Sequence, residues 1–170
     1  IPLLLSNTTD LVGLAKTGTG KTAAFGLPLL QLVDTNSAVI QAVILVPTRE
    51  LGQQIFRNLE DFAKYLPEVS IAATCGGIPI KPQIERLATP THIVVATPGR
   101  LIDLIQRKAI NLKATKFLVL DEADEMVTIL KESLDEIIAE FPATHKTFLF
   151  SATMPGPINQ LIHNYLIKHV

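Results

Sequence analysis

The chain has 170 residues, 48% of them hydrophobic and 18% charged, with a formal net charge of −1, one cysteine and no tryptophan. That length suits one domain with a core of its own, and so even a charge balance excludes a polyelectrolyte tail and confines any nucleic-acid site to a local patch. A lone cysteine forms no internal disulfide, which fits a reducing cytosol and a cytoplasmic protein, and no apolar run approaches the roughly 18 residues of a membrane helix.

In chain order, Ile1-Pro2-Leu3-Leu4-Leu5 is too short for a signal peptide and lacks its basic start, so it reads as the tail of a helix that begins outside the chain. Short apolar runs then recur at 11–15, 42–46, 69–74, 92–96, 117–120 and 147–150. They are rich in Val, Ile, Leu and Phe without polar alternation, as strands of a parallel sheet covered on both faces are. Between them the spacing is helical. Leu51, Ile55, Leu59, Phe62 and Leu66 form one apolar stripe that Pro67 should stop. Leu101, Leu104 and Ile105 form a second, Leu134, Ile137, Ile138 and Phe141 a third, and Ile158, Leu161, Ile162 and Leu166 a fourth. Strand and helix in alternation predict an α/β fold: three layers, with a mostly parallel central sheet between helices. Sites in such sheets lie just past the carboxyl ends of the strands.

After the first run comes Ala15-Lys16-Thr17-Gly18-Thr19-Gly20-Lys21-Thr22. This is the phosphate-loop pattern with its first glycine replaced by Ala15. Gly18 and Gly20 can take backbone angles that turn successive N–H groups toward an anion, and a helix starting near Lys21 adds its positive end. Lys21 can reach terminal phosphates, and the Thr22 hydroxyl can join a Mg²⁺ shell. The fifth run ends in Asp121-Glu122-Ala123-Asp124. Coupled to a phosphate loop, this is a Walker-B arrangement in which Asp121 holds the metal and Glu122 orients and deprotonates the attacking water. Acidic residues after a strand otherwise serve as helix caps and dipole partners.

With those two motifs in place, the chain resembles the first RecA-like lobe of the DEAD-box RNA helicase family. Pro47-Thr48-Arg49-Glu50-Leu51, Gly76-Gly77, Thr97-Pro98-Gly99-Arg100, Asp121-Glu122-Ala123-Asp124 and Ser151-Ala152-Thr153 match the family's motifs in order, each after a strand. The resemblance implies a single helicase ATP-binding domain over 1–170 that uses ATP and Mg²⁺, held by the loop from Lys16 to Thr22. It implies that Arg49, Gly77, Thr97, Gly99 and Arg100 hold the backbone of single-stranded RNA, and that Asp124, Ser151 and Thr153 couple nucleotide state to the arrangement of two lobes. Such contacts carry no base identity, so binding should be independent of sequence. Turn chemistry and ion pairs with nearby carboxylates are the competing reading of these glycines and arginines.

The family's adenine-contacting Q motif lies upstream of the Ile-Pro-x-x-Leu stretch that opens this chain and is missing here. The second RecA-like lobe, with its arginine fingers, would follow Val170. The expected parent is a monomeric ATP-dependent RNA helicase that does not enter membranes, and the fragment itself should be weakly active or inactive. The rivals are a stand-alone nucleotide- and RNA-binding lobe without catalysis, or another superfamily-2 ATPase acting on DNA. Gly52 stands where the family commonly has Ala, a change expected to loosen its helix by about 1 kcal/mol. Cys75 reads as a small buried residue, the four histidines as surface or packing residues, and Met126, Met154 and the seven phenylalanines as core or helix-edge filler.

Overall fold

A computed structural model of the protein describes residues 1–6, 9–16 and 18–166, and the side chains of all of these except 128–131. Six strands form one sheet: β1 (Leu11–Leu14), β2 (Ala42–Leu45), β3 (Ile71–Thr74), β4 (Ile93–Ala96), β5 (Phe117–Leu120) and β6 (Lys146–Ser151). Their spatial order is β1-β6-β5-β2-β4-β3, and every pairing is parallel. The carboxyl ends therefore line up along one rim.

Successive residues of a strand face opposite sides, and the register keeps like faces together. Val43 lies beside Val94 and Leu118, and Leu45 beside Ala96 and Leu120; all six pack into one apolar cluster with α5 (Pro98–Gln106), α6 (Ala123–Ala139) and α7 (Gly156–Tyr165). The intervening Ile44, Val95 and Val119 pack into a second cluster with α2 (Lys21–Leu32) and α3 (Arg49–Phe62). With both faces covered, every residue of β2, β4 and β5 is buried, which is why the runs carry no polar alternation.

Thr48 caps α3 by accepting a hydrogen bond from the Leu51 N–H at 3.3 Å, and Ile55 and Leu59 are fully buried beneath it. Burial of two such side chains contributes about 3–6 kcal/mol. The predicted stripe runs one turn too far. The helix ends at Phe62, and Leu66 closes a turn through its N–H to the Ala63 carbonyl with its side chain 40% exposed.

Two short helices, α1 (Pro2–Leu5) and α4 (Lys81–Leu87), complete the fold. The second of these was not anticipated from sequence. It carries Pro82 in its first turn, where proline's missing N–H costs nothing. No described helix is long and apolar enough to cross a membrane.

Candidate functional site

β1 delivers the glycine-bearing loop to the rim, held to β6 by the Ala15 N–H on the Ser151 carbonyl at 3.0 Å. Gly18 (φ 82°) and Gly20 (φ 87°) are both left-handed. A Cβ at either would meet nothing within 4 Å, so the backbone angle and not crowding requires glycine there. The Thr19 hydroxyl donates to the Lys16 carbonyl at 2.7 Å and folds the loop on itself. Gly20 is the N-cap of α2, whose first two residues are Lys21 and Thr22. Thr17 lies outside the described residues.

Across the rim, Lys21 Nζ stands 3.2 Å from Asp121 Oδ1, with the two side chains only 7% and 3% exposed. One hundred residues of sequence thus close onto one buried ion pair. The Asp121 carboxylate also accepts the Glu122 N–H at 3.0 Å. The Lys21 ammonium is close to its partner but has no aligned hydrogen bond, which leaves buried donors for a further anion. Glu122 caps α6 in a left-handed conformation (φ 53°, ψ 48°). For a non-glycine residue that costs about 1–2 kcal/mol, and such strain collects where a side chain must be aimed.

In the first turn of α6, Asp124 Oδ2 accepts hydrogen bonds from the Thr153 hydroxyl at 2.7 Å and the Thr153 N–H at 3.1 Å. The buried Ser151 hydroxyl donates to the Thr153 carbonyl at 2.6 Å. Burial by itself would raise the Asp124 carboxyl, but the hydrogen bonds from Thr153 and Ser151 outweigh it and hold it below the ordinary aspartate range. The loops after β5 and β6 are thereby tied to each other.

Farther along the rim, the loops after β2, β3 and β4 meet. Arg100 Nη2 donates to the Ile78 carbonyl at 2.8 Å, and Arg49 Nη1 reaches the Gly77 carbonyl at 3.5 Å. Arg49 also pairs with Glu50 at 3.2 Å, both side chains being well exposed, so the competing reading of this arginine as an ion-pair partner is realised. Arg100 keeps its buried Nη1 without an acceptor. Gly77 is left-handed (φ 78°), and a Cβ there would lie 3.3 Å from Arg49 Nη1. The Thr97 hydroxyl accepts the Gly76 N–H at 3.0 Å and so is not spent on capping α5. Gly99 faces open space.

Two supporting residues escaped the sequence. Gln83, buried on α4, donates from Nε2 to the Cys75 carbonyl at 3.1 Å, just before Gly76-Gly77. Arg86, one turn on, clamps the other end of β3 through the Ile71 carbonyl at 3.0 Å and the Ser70 hydroxyl at 2.7 Å. The three-residue spacing of Gln83 and Arg86 was the available signal.

Gly52 has a different role from the one expected. A Cβ there would stand 2.7 Å from Cys75 Sγ and 3.2 Å from Val46 Cγ2, so the glycine lets α3 close onto the sheet. Cys75 is fully buried, and burial pushes its thiol up against the opposing effect of the Arg100 charge, which suits packing and not nucleophilic chemistry. Met126 is buried in the core, whereas Met154, 36% exposed, stands at a helix edge just before the N-cap of α7. His92 is buried and accepts the Ser70 N–H at 3.0 Å through Nδ1. His169 lies outside the described residues.

A glycine loop after the first strand of an all-parallel sheet, with its lysine facing the carboxylate that ends another strand, is the arrangement of RecA-like P-loop domains. A family model for DEAD/DEAH box helicases matches residues 1–161, and the chain belongs to that family. It is 46% identical over 160 residues to the DEAD-box ATP-dependent RNA helicase CshA of Bacillus cereus, covering 94% of this chain and 30% of that protein. Against the ATP-dependent RNA helicase DeaD of Mycobacterium tuberculosis it is 44% identical over 167 residues, or 98% of this chain and 30% of that one. The crystal structure of a DEAD box protein from Methanococcus jannaschii superposes with a TM-score of 0.92 at 40% identity, covering 99% of this chain and 46% of that one. The chain thus spans about 30% of the length of the curated relatives it matches.

Proposed function

We propose that the chain is the first RecA-like lobe of an ATP-dependent RNA helicase. In this reading it takes ATP with Mg²⁺ at the loop from 16 to 22 and the backbone of single-stranded RNA at the carboxyl ends of β2, β4 and β3. The buried Lys21–Asp121 contact carries the proposal, because a lysine with unmet donors beside a carboxylate is what a metal-bound triphosphate requires.

The residues fit that ligand. The left-handed Gly18 and Gly20 leave the loop open above the helix start, and Thr22 and Asp121 are the side chains that would hold Mg²⁺. Among the described residues no three His, Cys, Asp or Glu side chains gather into a metal cluster. Phosphate and water oxygens would complete the shell, as suits Mg²⁺. Bound metal supplies charge neutralisation at the transferring phosphoryl group. Lys21 would neutralise the terminal phosphates, and Glu122 would aim a water at the γ-phosphorus and take its proton as ADP leaves with the bridging oxygen.

Arg49, Arg100, Thr97, Gly77 and Gly99 would grip RNA through charge, backbone N–H groups and the N-terminus of α5. RNA phosphates would take up the free Nη1 of Arg100 and compete with the carbonyls that now hold both guanidiniums. The tie from Asp124 to Thr153 would carry nucleotide state to a second lobe, whose arginine fingers are worth about 10³–10⁵ in rate.

The test uses the protein carrying both lobes. Arg100→Ala should weaken RNA binding by a similar factor on oligonucleotides of unrelated sequence and lower the salt slope by about one. An unchanged affinity, or a loss confined to one sequence, would contradict the proposed contact.

A further inference from the structure

At the other end of the sheet lies a cavity of about 420 Å³, formed where the chain enters β2, β4 and β5. It shares no residue with the nucleotide or RNA sites. Its volume falls within the roughly 300–1,000 Å³ of small-molecule sites. Val39, Leu87 and Ile110 give it apolar walls, Asn111 a polar one, and Lys108 and Lys113 two cations, with no acidic residue in the lining. Among the described residues, neither lysine side chain has an ion pair or hydrogen bond. Glu140 borders an adjoining hollow with both lysines but pairs with neither.

The backbone supplies an independent observation. Lys108 and Glu122 are the two non-glycine residues with positive φ among those described. Glu122 stands at the proposed hydrolytic site, and Lys108 (φ 56°) stands on this cavity. Lys108 follows the C-cap Arg107 of α5, and its N–H and that of Ala109 close the helix on the Ile105 and Leu104 carbonyls. Glycine is the unstrained residue at that position. The helix dipole favours a cation anywhere in the last turn and does not call for one at this strained residue. Lys113 is placed by its neighbour, since its N–H donates to Asn111 Oδ1 at 3.0 Å, and among the described residues Asn111 Nδ2 makes no hydrogen bond.

We propose that this cavity binds a small organic anion with an apolar body, the body lying against Val39, Leu87 and Ile110 and the anionic group meeting Lys108, Lys113 and Asn111. Because it opens away from the strand carboxyl ends, its ligand need not leave when nucleotide or RNA binds.

The probe is 1-anilinonaphthalene-8-sulfonate, a flat apolar body bearing one sulfonate, titrated by fluorescence into the folded chain. One saturable site is expected, and its Kd should rise at least about fivefold in Lys108→Gly and again in Lys113→Gln, as loss of a charged hydrogen bond implies. Lys108→Gly removes the strained backbone with the charge, so its urea midpoint should not fall and lost binding cannot be ascribed to unfolding. The uncharged analogue N-phenyl-1-naphthylamine should bind more weakly and ignore both substitutions. ATP with Mg²⁺ should not displace the probe. Absence of a saturable site, a Kd unchanged in both variants, or displacement by ATP would overturn the proposal.

Discussion

Replacing Lys21 by methionine keeps most of the side chain's volume and strips the charge from a carboxylate that is 3% exposed. At 3.2 Å and an effective dielectric of about 20, the attraction removed is about 5 kcal/mol. Much of that only offset the desolvation of the two ions, yet the lone Asp121 charge left behind keeps its full desolvation cost. Breaking one side of a buried pair accordingly costs about 3–5 kcal/mol, a large part of the 5–15 kcal/mol typical of a whole domain. Asp121→Leu should cost as much, since it orphans the ammonium and the Glu122 N–H together. The double variant Lys21→Met/Asp121→Leu should be more stable than either single one, because no buried charge remains. Urea unfolding of the four proteins followed by circular dichroism measures this as a coupling energy. Two small, additive losses of about 1 kcal/mol or less would show that the charges are solvated and refute the buried contact.

Gly52→Ala should destabilise the chain by about 1 kcal/mol despite alanine's better helix propensity, because the new methyl meets Cys75 Sγ. Cys75→Ala in the same chain should relieve the clash, and additive urea-midpoint shifts would remove the steric argument. Glu122→Gly should unfold at the same or a higher urea concentration than the parent, since glycine tolerates φ 53°, while losing hydrolysis in the two-lobed protein; a clear destabilisation would mean the backbone there is not strained. The depressed Asp124 carboxyl contributes stability at neutral pH that is lost as pH falls below the ordinary aspartate value of about 3.9 and through its folded-state value. Thr153→Val should therefore flatten the fall in urea midpoint between pH 5 and pH 3, and an undiminished slope would exclude the Thr153 hydroxyl as its cause.

The strands were legible because a segment buried on both faces has to be apolar throughout, and 117–120 was read to the residue. Asp121 was legible for a related reason, as a polar residue immediately after such a run has only the rim of the sheet to occupy, and Lys21 was legible from the glycine-lysine-threonine pattern between β1 and α2. Strand order was not readable, since β1 pairs with β6 across more than a hundred residues and the pairing is written in backbone hydrogen bonds common to all sequences. α4 was hidden because Pro79 and Pro82 suggest a turn and its buried face is a glutamine, not a leucine. The Gly52–Cys75 contact was invisible for want of any local signal, being a match of shapes between two elements. Arg49 and Arg100 were placed on the correct rim, but their present partners are backbone carbonyls, which carry no sequence identity.

Titration calorimetry of ATP, with and without Mg²⁺, into the parent chain, Lys21→Ala and Glu122→Gln puts the whole scheme to one trial. Magnesium-dependent heat should appear with the parent and persist in Glu122→Gln, whose amide keeps the side chain's shape, and it should vanish in Lys21→Ala. Undiminished binding by Lys21→Ala would mean that the triphosphate sits somewhere other than against the Lys21–Asp121 pair.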